Sequence, residues 1–100
     1  MKMNKNLEKI INTLKSLEEE IRKNYKAEII GVFGSYVRGE QKERSDVDIL
    51  VRFLEGATLF DLVGLGDFLE EKLRAKVDIV SERALRQEIK EQILEEVVAL

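Results

Sequence analysis

Cysteine, histidine and proline do not occur anywhere in the 100-residue chain. Without cysteine or histidine there is no disulfide, no thiol nucleophile, no imidazole base and no zinc site built on those ligands. Any catalysis must fall to carboxylates, Lys, Arg, hydroxyls, backbone N–H groups or a bound metal ion. The ions that carboxylates favour are hard ones, Mg2+, Mn2+ or Ca2+. No run approaches the roughly 18 consecutive apolar residues needed to span a bilayer. The opening Met1-Lys2-Met3-Asn4-Lys5-Asn6 leads into an amphipathic pattern, unlike a secretory leader. An excess of positive charge is also missing. Lys and Arg number 17 against 20 Asp and Glu, giving a net charge of −3, which is not the footprint of a general nucleic-acid binder. Repeats, low-complexity segments and linkers are absent, so residues 1–100 are expected to form a single domain.

Apolar residues make up 44% of the chain and charged residues 37%, which suits one small soluble core. The high Glu, Lys and Arg content, with no cysteine, is also a composition of thermophilic proteins. Leu7, Ile10, Ile11, Leu14, Leu17 and Ile21 recur at helical spacing and predict an amphipathic helix over about residues 4–24. Ala27 to Phe33 is short, apolar and β-branched and predicts a strand. Tyr36-Val37-Arg38 predicts a short helical turn ended by Gly39, followed by a charged loop from Glu40 to Arg44. Val47 to Phe53 predicts a second strand. Thr58 with Asp61 resembles a capping box opening a helix over about 59–74. Lys76 to Val80 predicts a third strand. Ser81 is the expected N-cap of a last helix carrying Leu85, Ile89 and Ile93. Val97 to Leu100 either frays or adds a short edge strand. This order predicts an α/β (α+β) fold: a small mixed β-sheet of three to four strands with helices packed mainly on one face.

Three features carry chemistry. Gly34-Ser35 follow the first strand and open a helical turn. Unpaired N–H groups there favour negative charge, Gly admits close approach and Ser adds a hydroxyl. The pair can cradle the phosphates of a triphosphate, although a Gly turn with a Ser cap has the same residues. Asp46 and Asp48 alternate with Val47 and Ile49, so both point the same way, roughly 6.6 Å apart along the strand. That spacing lets them share two metal ions, as in two-metal phosphoryl chemistry. Asp is depleted in strands, so Asp48 between two β-branched residues calls for a compensating role. Asp78 repeats the pattern in Val77-Asp78-Ile79. It can face Asp48 if the strands are neighbours, as a metal ligand or as the base for an attacking hydroxyl. Three acids would repel one another without cations. Together these parts suit phosphoryl or nucleotidyl transfer, which needs charge neutralisation and positioning more than covalent chemistry. Arg38, Lys42 and Arg44 are candidates for steadying a triphosphate, with Arg38 favoured by its place on the turn. Ser45 can cap the turn that carries Asp46.

Val32-Phe33-Gly34-Ser35-Tyr36-Val37-Arg38-Gly39-Glu40, then Ser45-Asp46-Val47-Asp48-Ile49-Leu50-Val51, resembles the minimal nucleotidyltransferase family. Its pattern is Gly-Ser, ten residues, Asp-x-Asp, and Tyr36 to Ser45 fill the ten positions. The resemblance implies a DNA polymerase beta-like nucleotidyltransferase fold, Mg2+ (two ions) and a nucleoside triphosphate donor, usually ATP. It implies that Gly34 and Ser35, joined by Arg38, hold the nucleotide, and that Asp46, Asp48 and Asp78 form a catalytic, metal-binding triad. It further implies a cytoplasmic antitoxin of the HEPN/MNT toxin–antitoxin type, partnered with a helical HEPN toxin and adding AMP to a toxin tyrosine. With 100 residues, the chain is expected to lack the extra helical domain of larger relatives that modify antibiotics or extend RNA. A competing reading is a binding module that occludes its toxin without catalysis, using the helix faces and Val97 to Leu100. A structural Ca2+ site is disfavoured, because Asp46-x-Asp48 lacks the further ligands and Gly of a Ca2+ loop.

Overall fold

The computed structural model describes residues 5–42 and 45–100. A 21-residue helix, α1 (Lys5–Tyr25), leads through Lys26 into β1 (Ala27–Phe33). A single helical turn, α2 (Ser35–Arg38), and a loop connect to β2 (Val47–Phe53). Helix α3 (Leu59–Leu73) crosses back to β3 (Val77–Ser81). A 3-10 turn (Glu82–Ala84), α4 (Gln87–Glu96) and β4 (Val98–Ala99) complete the chain.

The four strands form one mixed sheet in the order β3-β2-β1-β4. β1 lies antiparallel to both β2 and β4, while β2 and β3 are parallel. Parallel neighbours need a crossover connection, which α3 supplies. Alternation along β2 sends Val47, Ile49 and Val51 into the core with Leu7, Ile11, Leu14 and Ile21 of α1 and Leu65 and Leu69 of α3. The periodic stripe of α1 thus covers one sheet face, and α3 packs beside it. Asp48 and Leu50 take the opposite face by the same alternation, and Leu50 is fully buried there.

Local signals account for most boundaries. The Thr58 backbone N–H donates to Asp61 Oδ2 at 2.8 Å, within the capping box expected from sequence. Gly39 takes a left-handed conformation (φ 73°) and its N–H closes α2 on the Ser35 carbonyl. The start of the last helix differs from expectation. Ser81 makes no side-chain cap; it ends β3 and leads into the 3-10 turn, and α4 begins only at Gln87. The cause is tertiary: Glu82 is drawn onto β2, where its Oε1 accepts from Arg52 Nε at 2.8 Å. The tail forms the edge-strand alternative. Val98 pairs with Val32 and Ala99 with Gly31.

Candidate active site

The end of β1 sets the first piece of the site. Phe33 pairs with Asp48 across the antiparallel ladder, so the Gly34 turn lies directly over the Asp48 side chain. Gly34 has φ 83°, and a Cβ there would collide with Asp48 Oδ2. Glycine is therefore required twice, for its backbone conformation and for its bare surface. Its carbonyl accepts the Val37 and Arg38 N–H groups at 3.0 and 3.1 Å, which starts α2. The Ser35 hydroxyl makes no hydrogen bond among the described residues.

The parallel β2–β3 pair sets the second piece. Its register matches Asp48 with Asp78, flanked by Val47 with Val77 and Ile49 with Ile79. The two acids thus sit side by side on adjacent strands, as the repeated Val-Asp-Ile pattern suggested. Asp46 stands just before β2, exposed, and Asp78 is exposed as well, whereas Asp48 is half-buried. Burial pushes the Asp48 carboxyl up to about 6, and the neighbouring Asp78 and Asp46 carboxylates add to the rise. Arg38 pulls in the other direction. The sites chosen from sequence are therefore brought within electrostatic reach of one group, Asp48.

This donor set fits a hard divalent cation. The candidate donors are carboxylate oxygens, one of them held in the charged form only against burial and like-charge repulsion, and a cation would remove both penalties. Among the described residues, no three acids stand close enough to cage an ion by themselves. Oxygens from a triphosphate would complete the coordination, which is the usual habit of Mg2+ at nucleotide sites.

Arg38 leaves α2 and is gripped by two acids. Its Nε donates to Glu40 Oε1 at 2.8 Å and its Nη1 to Glu96 Oε1 at 2.5 Å. Sequence reasoning missed Glu96, which lies 58 positions away on a helix whose start it also misplaced. Lys42 is exposed, with no ion pair among the described residues. Its backbone N–H donates to Ser45 Oγ at 2.7 Å, so Ser45 does brace the turn before Asp46. Arg44 lies outside the described residues.

A mixed sheet with a Gly-Ser turn over one strand acid and a second acid in register beside it defines the polymerase beta-like nucleotidyltransferase class. The family model described as "Nucleotidyltransferase domain" matches residues 14–100. The chain belongs to this family and is a nucleotidyltransferase. Within it, the chain is a minimal nucleotidyltransferase. It is 46% identical over 92 residues to the protein adenylyltransferase MntA of Thermococcus cleftensis, covering 92% of this chain and 93% of the relative. A solved structure named for the minimal nucleotidyltransferases is 43% identical, with a TM-score of 0.74 over 90% of this chain and 95% of that one. A toxin–antitoxin crystal structure with AMP-PNP is 28% identical, with a TM-score of 0.67, covering 94% of this chain and 71% of that one.

Proposed function

We propose that this chain transfers AMP from ATP to a protein hydroxyl, a tyrosine of a helical HEPN-type toxin, and thereby acts as its antitoxin. The observation that carries this reading is the register of Asp48 with Asp78 beneath the Gly34 turn. A triphosphate and an acceptor can meet there, on the sheet face away from the α1 core. The relative named as a protein adenylyltransferase and the toxin–antitoxin structure holding AMP-PNP support the donor and the partner class.

Gly34 and Ser35 bind the β- and γ-phosphates through backbone N–H groups and the Ser35 hydroxyl. Arg38 adds a cationic guanidinium for the bound triphosphate. Asp46 and Asp48 would hold the Mg2+ ions, and Asp78 completes the acid set. When bound, these ions neutralise the phosphates and polarise the α-phosphorus. The acceptor oxygen forms a bond to the α-phosphorus, and the bond from that phosphorus to the bridging oxygen of pyrophosphate breaks. Asp78, the exposed member of the β2–β3 pair, takes the proton of the attacking hydroxyl.

The test is incubation with Mg2+, α-labelled ATP and the helical partner, followed by mass spectrometry for added AMP. Asp46→Asn and Asp48→Asn should each abolish transfer while the fold persists. Undiminished transfer by Asp48→Asn would refute the assignment. Neutralisation by occlusion also has an observation in its favour. Leu59, Phe60 and Val63 form an apolar group on α3 with 71%, 88% and 57% exposure. Growth rescue from the toxin by the Asp46→Asn, Asp48→Asn double variant would select that reading.

A further inference from the structure

Glu96 closes the last helix, and the four residues after it hold it in place. The Val97 N–H returns to the Ile93 carbonyl at 2.8 Å, after which Val98 and Ala99 pair with β1 and the Leu100 N–H donates to the Ile30 carbonyl at 3.4 Å. That docking depends on Gly31. A Cβ at Gly31 would collide with the Val98 carbonyl oxygen and lie 2.8 Å from Val97 Cγ2. Its φ is ordinary, unlike that of Gly34, so the glycine serves the close approach of β4, at the point where the β1–β2 register also shifts. The bare Gly31 surface lets β4 settle, and β4 delivers Glu96 to α2.

The consequence falls on Arg38. A guanidinium is a rigid planar fork, and a single carboxylate leaves it free to swing on its long stem. Glu40, 61% exposed, holds Nε from the adjacent loop. Glu96, only 25% exposed, holds Nη1 from the other end of the chain. Two grips on different nitrogens fix the plane, and Nη2 is left without a partner among the described residues.

We propose that Glu96 is a positioning residue that, through the Gly31-seated C-terminal strand, pre-orients the Arg38 guanidinium to receive the anionic triphosphate. This rests on the nucleotidyl-transfer reading and adds to it a part that lies outside the Gly-Ser and Asp-x-Asp motifs. Fixing one long side chain in advance spares its ordering on binding, which sets an expected loss of about three- to tenfold in ATP affinity when the grip is removed.

The experiment uses the full chain with Glu96→Gln, Arg38→Ala and the double variant, and Gly31→Ala as an independent route to the same loss. Calorimetry measures Mg-ATP affinity, AMP transfer gives KM and kcat, and NMR follows the Arg38 Nη–H signals, assigned by their disappearance in Arg38→Lys. Glu96→Gln should raise KM for ATP and Kd for Mg-ATP about three- to tenfold and change kcat less than twofold. It should speed exchange of the Arg38 Nη–H, which Glu96 holds, and it should add nothing in the Arg38→Ala background. Gly31→Ala should reproduce these changes. Tighter Mg-ATP binding by Glu96→Gln would show that Glu96 competes with the nucleotide for Arg38, and the proposal would fall. An unchanged Arg38 signal and Kd would overturn it equally. If the wild-type chain transfers no AMP, the nucleotidyl-transfer reading fails on its own, while the Arg38 signal and the Mg-ATP affinity still decide the role of Glu96.

Discussion

Replacing Asp48 by Asn should stabilise the metal-free chain at neutral pH. In the folded state burial and the Asp78 and Asp46 carboxylates push Asp48 from its ordinary 3.8 up to about 6. The folded chain therefore binds this proton more tightly than the unfolded chain does. The contribution of Asp48 to stability is fully present below its unfolded pKa and is lost as pH rises through about 6. That rise corresponds to ~3 kcal/mol at pH 7.5 if nothing screens it. Asp48 is only half-buried, so about half of this survives, near ~1.5 kcal/mol. Asn has the same shape and no charge to lose. For a chain of this size the gain amounts to roughly 5–10 °C in Tm. Thermal unfolding in EDTA, followed by circular dichroism, should show the variant ahead at pH 7.5 and the gap reduced to about a third at pH 4.5. Adding Mg2+ together with a non-hydrolysable ATP analogue should then raise the Tm of the wild type well above any change in the variant. A variant no more stable than wild type at pH 7.5, or an equal response of both to Mg2+ with the analogue, would refute the account of Asp48 as a carboxylate held charged for a cation.

Gly34→Ala places a methyl on the Asp48 carboxylate at a left-handed backbone position. It should cost about 1–3 kcal/mol in urea unfolding and reduce AMP transfer at least tenfold. Gly39→Ala meets nothing within 4 Å among the described residues, so it should cost about 1 kcal/mol from φ alone and leave transfer intact. At limiting Mg2+, transfer should decline as pH falls through about 6, because the proton competes for Asp48, and higher Mg2+ should move that decline to lower pH. Leu14→Ala, which truncates a fully buried side chain between α1 and the sheet, should cost about 2–5 kcal/mol without altering KM for ATP.

Much of this was legible in the chain itself, and the reasons are local. The α1 stripe, the β-branched runs of β1 and β2, and the Thr58-Asp61 pair each state their element within a few residues. The placement of Asp48, Gly34 and Ser35 was readable for the same reason, since alternation and a turn fix which way they face, whereas Asp46 precedes the strand and escapes the alternation expected of it. Asp78 was readable through its repeated neighbours, although only the parallel pairing shows that it abuts Asp48. What escaped was set by contacts distant in sequence. The Arg52–Glu82 pair holds the chain in a 3-10 turn where Ser81 would otherwise start a helix. Glu96 reaches Arg38 only because β4 seats on Gly31. A single glycine in a largely apolar strand was the one visible sign of that docking.

The matched register of Asp48 and Asp78 has one more consequence. Adjacent strands are spaced at about 4.8 Å by their peptide hydrogen bonds, whatever side chains they carry. The gap between these two acids is therefore ruled by the backbone lattice and not by the packing beneath it. Core substitutions can soften or stiffen this protein without retuning the span its carboxylates offer to an ion. Only a slip of one strand past the other would do that.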